Sequence, residues 1–479
     1  MDNIIKKGKT IFEVVQDEPG YLIERQKHSR YEIIGSPKKF RRVLISGAVF
    51  IITTDSKNRL QVLPNQSIYI VDGKIKEVFS ARKKTIPKNK IDLIYNASKR
   101  SGIVVTPGFI NAHAHPPMYL LRSSLTLDKG NIVDQVAKMA QLEAKMKPED
   151  FYLGAVGDFT EEQKNGITTT LSHYAVFEPV EQAAVLTKQN VINALSAVSN
   201  THPKNSPALV EKYLKNQKKY FSQPAISIHY LHRASPAQLE KIKSLIKKYD
   251  VILTMHAAET EAWVREGVKK FGKRTVEALV DFGLANSNVI LSHAVHLSEK
   301  EIELVKKYKI GIIHLPTSNK IHRSGEFKYS LFVAKKAADR IALGTDSVIS
   351  KNSLDLLSEA MQARIMHQHT SRILYEDLFK MMTSQAAAVL KLGRVGKILP
   401  GYKADLAFWK LRDRGFMPYN EKKPLSLVGN MITHGGRNIR DLMINGEFII
   451  SNRIHNLVDE SQLILELQKA HMKLRQRLD

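Results

Sequence analysis

The chain has 479 residues, 43% of them hydrophobic and 25% charged, with a formal net charge of +26 and no cysteine. That length suits one large α/β barrel with an accessory domain, or two to three average domains, and no apolar run approaches the roughly 18 residues of a membrane span. The missing cysteine excludes disulfide frameworks, thiolate zinc sites and cysteine nucleophiles, so any metal must sit on His, Asp or Glu.

Residues 1–40 read as a basic N-terminal extension. Its opening, "MDNIIKKGKTIFEVVQDEPG", mixes charges of both signs through its apolar residues, unlike a secretion signal, and the expected location is cytoplasmic. Basic runs such as "SPKKFRR", "ARKKTIPKNK" and "VKKFGKR" recur along the whole chain rather than forming one tail. Solvated lysine-rich surface is the simpler reading. A nucleic-acid-binding protein on an inactive barrel is the remote alternative.

Residues 41–105 show short β-rich runs with a turn at Asp72-Gly73, and a matching β-rich stretch, with a hairpin turn at Asn445-Gly446, lies in 396–455. Together the two flanks predict a composite β-sandwich. Between them, in 106–395, eight apolar β-type runs end near Ile110, Leu171, Ser196, His229, His256, His293, Leu315 and Thr345, each followed by a stretch able to form a helix. Strands alternating with helices imply a parallel sheet, and eight such units imply a (β/α)8 TIM barrel within the α/β class. Residues 456–479 predict a docking helix, with Leu463, Leu467, Ala470 and Leu474 on one stripe.

In such a barrel the chemistry sits at the carboxyl ends of the strands. The first run ends in "HAH", where His113 and His115, two residues apart, share a face of the strand. Three more runs end in residues of the same chemistry: His256 with Glu259 in "MHAAE", His293 in "SHAVH", and Asp346 in "GTDS". Any one alone is more often a satisfied core residue. Four strand ends carrying imidazole or carboxylate point to one shared divalent-metal site with an open position for water.

The motifs "PGFINAHAH", "HAAE", "SHAVHLSEKE", "HLPTSNKIHRSG", "ALGTDS" and "GRVGKILPGYKADLAFW" resemble the amidohydrolase superfamily, from about Arg42 to Arg453, in the branch of cytosine and guanine deaminases, S-adenosylhomocysteine deaminases and triazine hydrolases or chlorohydrolases. The resemblance implies that His113, His115, His256 and Asp346 hold one metal ion, zinc in most members and iron in some, and that His293 contacts the metal-bound water. "AISIHYLH" offers no bridging lysine, which favours a mononuclear site. Asp346 would orient the water, and Glu259 would carry a proton to the ring nitrogen and help discharge ammonia.

His229 aligns with a substrate-binding histidine, although "HYLHRAS" departs from the pattern; Arg122 matches the arginine of an "LLRG" stretch, with Ser123 in place of glycine; and His173 in "LSHYA" faces substrate or packs. Ser318 and Asn319 are read as loop-shaping residues. The expected activity is hydrolytic deamination of an aromatic N-heterocycle, a purine, pyrimidine, pterin or triazine-like compound. The alternative is displacement of chloride or alkylamine, or opening of a cyclic amide, at the same site. The expected partners are a small heterocyclic substrate and a second copy of the chain in a homodimer, with no membrane and no nucleic acid.

Overall fold

The computed structural model describes residues 4, 30–34, 40–98, 102–124, 132–199, 201–351 and 353–477. They form two compact units. The larger is built around an eight-stranded sheet: β1 (Phe109–Ala114), β2 (Ile167–Tyr174), β3 (Asn190–Ser196), β4 (Gln223–Tyr230), β5 (Leu253–Ala257), β6 (Val289–His293), β7 (Gly311–His314) and β8 (Ile341–Leu343).

These strands lie side by side in chain order. From β2 to β8 each neighbouring pair is parallel, and a parallel bridge between Ala114 and Asp346 brings the end of the sheet back to its beginning. The Asp346 N–H donates to the His113 carbonyl at 3.0 Å across that seam. A Cβ on Gly344 would stand 2.9 Å from both N and O of His113. The seam therefore closes because residue 344 has no side chain.

Every residue of β1 and of β2 is buried. Strands covered on both faces explain the near-continuous apolar runs, and they are why polar residues at the strand ends stand out. Local sequence stops and starts the outer helices. Ser235 with Gln238, and Ser298 with Glu301, form capping boxes at Pro236–Tyr249 and Glu299–Tyr308, and Asp250 and Lys309 end these helices in the left-handed region.

The smaller unit carries one hydrogen-bonded sheet of ten strands drawn from both flanks of the chain. Leu60–Val71 pairs with Lys74–Ser80, and Ile439–Ile444 with Glu447–Ser451, both antiparallel. Their turns have positive φ at Asp72, Gly73, Asn445 and Gly446, the conformation the Asp-Gly and Asn-Gly pairs favour. Ile45, Ile51, Ile68, Leu406 and Phe408 belong to its core. Tyr31–Ile33, inside the stretch read as an extension, pairs antiparallel with Leu93–Asn96 and so is part of this sheet. Most of the remaining extension lies outside the described residues.

The C-terminal helix runs Glu460–Gln476. Leu467, Ala470 and Leu474 pack with Leu120, Leu121 and Phe151. Among the described residues no helix is long and apolar enough to cross a membrane.

Candidate metal and active site

Four histidines and an aspartate converge at the carboxyl ends of β1, β2, β5 and β8. Two overlapping groups have ligand atoms within 4.8 Å of one another: His113, His115 and Asp346, and His113, His173 and His256. His113 Nε2 lies 3.2 Å from His256 Nε2 and 3.8 Å from Asp346 Oδ1, and His115 Nε2 lies 3.3 Å from the same carboxylate oxygen.

The outward nitrogens are already committed. His115 Nδ1–H donates to the His173 carbonyl at 2.7 Å, and His256 Nδ1–H donates to the His229 carbonyl at 3.0 Å. A carbonyl has no proton to give, so each ring must carry its proton on Nδ1 and present the Nε2 lone pair inward. Ser292 Oγ shares a hydrogen bond of 2.9 Å with His113 Nδ1. Neutral, oriented imidazoles beside a carboxylate, each held by an outer partner, are the donor set of a divalent first-row metal. The residues present fit such an ion.

Electrostatics agree. Burial above all, and then neighbouring positive charge, holds His113, His173, His229 and His256 well below the ordinary imidazole value, which keeps their lone pairs available. Burial also pulls on His115, but the Asp346 carboxylate and the His173 carbonyl outweigh it and raise that pKa. For Asp346, burial raises the carboxyl, yet the neighbouring imidazoles of His115, His293 and His113 hold it well below the usual range. Ser318 Oγ donates to Asp346 Oδ2 as well.

The backbone is strained here. Asp346, His293, Ala294 and Ala258 have φ of +60°, +68°, +53° and +45°. Left-handed non-glycine residues cost roughly 1–3 kcal/mol each and persist where the surroundings over-determine them. All four follow or end β5, β6 and β8.

His293 Nδ1–H donates to Asn319 Oδ1 at 2.8 Å, which leaves Nε2 facing Glu259 Oε2 at 3.8 Å. Glu259 is buried and accepts a 2.6 Å hydrogen bond from Tyr230 Oη. A cavity of roughly 380 Å3 opens beside these groups, lined among others by Met118, Glu143, His229, Arg233, Glu259 and Trp263. The Arg233 guanidinium donates to His229 Nδ1, so His229 is a neutral ring with its proton on Nε2. Arg233 also lies 5.4 Å over the Tyr230 ring and 5.9 Å over that of Trp263, and those two rings stack at 4.8 Å.

The expected residues His113, His115, His173, His229, His256, Glu259, His293 and Asp346 all line this one cavity or its floor. Arg122 does not. Its Nη2 forms a 2.5 Å ion pair with Glu161, which also accepts from Tyr119 Oη and from the Leu354 N–H, and it is not among the cavity-lining residues. Ser318 and Asn319, read as loop residues, instead hold Asp346 and His293. Tyr230, Arg233, Glu143, Trp263 and Ser292 were not singled out. Tyr230 and Arg233 carry a local signal, because both stand in "HYLHRAS", the departure from the expected pattern. Burial pushes the Glu143 carboxyl up, and only the tertiary structure exposes its place in the cavity wall.

A model described as the amidohydrolase family matches residues 104–449. The chain belongs to that family. A 5-methylthioadenosine/S-adenosylhomocysteine deaminase of Pyrococcus furiosus is 30% identical over 427 residues, covering 84% of this chain and 95% of the relative. An adenosine deaminase of Xanthomonas campestris with bound zinc superposes with a TM-score of 0.81 at 22% identity, covering 91% of this chain and 98% of the other. A zinc-complexed atrazine chlorohydrolase of Arthrobacter aurescens superposes with a TM-score of 0.78 at 19% identity, covering 90% of this chain and all (100%) of the other. As an amidohydrolase, the chain carries its converging histidines where the fold places its chemistry, at the carboxyl ends of the barrel strands.

Proposed function

We propose that this amidohydrolase is a metal-dependent deaminase that hydrolyses the bond between an aromatic N-heterocycle and its amino group, releasing ammonia. The observation that carries the reading is the Glu259 carboxyl, buried at the cavity wall, held by Tyr230 at 2.6 Å and facing His293 Nε2 at 3.8 Å. A carboxyl held in this way can deliver a proton to a ring nitrogen beside the attacked carbon.

His113, His115, His256 and Asp346 would hold the ion, and zinc is proposed because it is the metal bound in the similar adenosine deaminase. When bound, such an ion acidifies water so that a nucleophile exists at neutral pH. Asp346, kept ionised by its imidazole neighbours, accepts and orients a proton at its free lone pairs. His293, aligned by Asn319, presents Nε2 to the same region. Glu259 then moves a proton between solvent side and ring nitrogen, and Tyr230 fixes its rotamer.

His229, with its proton pinned on Nε2 by Arg233, is a donor toward a ring nitrogen or oxygen acceptor. Met118 and Trp263 supply apolar wall for a flat ring, and Glu143 and Arg233 supply polar groups for an appendage. A purine carrying a polar substituent fits this lining, in line with the name of the Pyrococcus furiosus relative.

Metal analysis of the purified protein, with an ammonia-release screen across adenosine-type, guanine-type and triazine-type compounds, tests the proposal. Bound zinc and ammonia from at least one class is the expected result. A metal-free, inert protein would overturn it. The barrel shared with the atrazine chlorohydrolase keeps a second reading, displacement of chloride or alkylamine, and chloride or alkylamine in place of ammonia would select it.

A further inference from the structure

His173 is an extra imidazole at the candidate metal site. It ends β2, is 4% exposed, and among the described residues its Nδ1 has no hydrogen-bond partner. Its ring stacks on that of His256 at 4.6 Å and 24°, and meets His113 and His115 edge-on, each at 5.4 Å. One of its ring nitrogens lies within 4.8 Å of those of His113 and His256. Its backbone carbonyl meanwhile accepts from His115 Nδ1 at 2.7 Å, so the strand end is tied to the site through main chain and side chain together.

A buried ring nitrogen without a partner is costly, and natural interiors rarely leave one. We propose that His173 is a fifth protein ligand of the same single cation, joining His113, His115, His256 and Asp346. This rests on the reading above that the cluster holds a divalent ion.

The two ligand groups do not describe two ions. His113 has Nδ1 engaged with Ser292, and His256 has Nδ1 engaged with the His229 carbonyl, so each offers one inward lone pair. A single lone pair binds one ion. Both groups share His113, so they are two sides of one coordination sphere, with His173 entering from the β2 side. Four imidazoles and a carboxylate exceed the four ligands of a tetrahedral zinc site. The sphere is therefore five- or six-coordinate, a geometry that also suits iron and cobalt.

X-ray absorption of the cobalt-loaded wild-type protein counts the imidazoles without any variant. Four imidazoles per ion support the proposal, and three overturn it. His173→Leu, loaded with cobalt, should lose one imidazole, show stronger visible absorption as the coordination number falls by one, and bind cobalt at least tenfold more weakly in chelator competition. An unchanged spectrum and affinity in that variant would make His173 a packing residue and sink the idea. Failure of wild-type protein to bind cobalt or zinc at all would instead sink the underlying metal reading, and this inference with it.

Discussion

His113 and His256 are 143 residues apart in the chain, and their Nε2 atoms stand 3.2 Å apart in the barrel mouth. Each ring has its other nitrogen committed to an outer partner. Two ring nitrogens at that separation are held together by a cation or a shared proton between them, and an ion bound there would add its binding energy to the folded state.

Chelation should therefore destabilise the protein. An ion present at a thousandfold over its dissociation constant adds about 4 kcal/mol to unfolding, and that stabilisation should vanish on exhaustive chelation and return with zinc. Scanning calorimetry with and without chelator checks this, and equal melting temperatures would contradict it.

Glu259→Gln keeps the size of the side chain and an oxygen that can accept from Tyr230, and removes the ability to carry a proton. Metal content should be unchanged while turnover falls by roughly 10²–10⁴. Ammonia release with parallel metal analysis measures both, and an unaltered rate would remove Glu259 from the chemistry.

Arg233→Met preserves a long apolar stem against Tyr230 and Trp263 but releases His229 Nδ1. The imidazole then distributes its proton between both nitrogens, and a charge-assisted hydrogen bond worth about 1.5–3 kcal/mol is lost. KM should rise by roughly 10–100-fold, with a smaller change in kcat. A fall in kcat alone would place Arg233 elsewhere in the cycle.

Away from the site, His314 and His367 face each other with their Nε2 atoms 3.1 Å apart, and His314 stacks on Phe327 at 4.2 Å. Burial lowers His367 from the ordinary imidazole value of 6.5 to about 4. As pH falls through 6.5 the unfolded chain takes up a proton that the folded chain refuses, so stability present above 6.5 is lost down to about pH 4 and not further on this account. His367→Asn should flatten that part of the profile of denaturant unfolding against pH. The same slope in variant and wild type would refute the assignment.

Much of the barrel was legible because its information is local. A run of apolar residues followed by a helix signal marks a strand wherever it occurs, and His113 and His115 share a face through the two-residue period of a strand, whatever packs beside it. The turns at Asp72-Gly73 and Asn445-Gly446 are local in the same sense: the backbone conformation they need is one that few other residue pairs adopt easily.

What the sequence by itself determined, then, is which residue types stand at which strand ends, and hence the family and the metal-binding chemistry. Only the tertiary structure decided which partner each polar group took. Arg122 went to Glu161 and not to the cavity, Asn319 and Ser318 came across to His293 and Asp346, and Tyr230 turned onto Glu259. The physical reason is that these pairings depend on strand register and on rotamers locked by packing between distant segments, and no short-range periodicity encodes either.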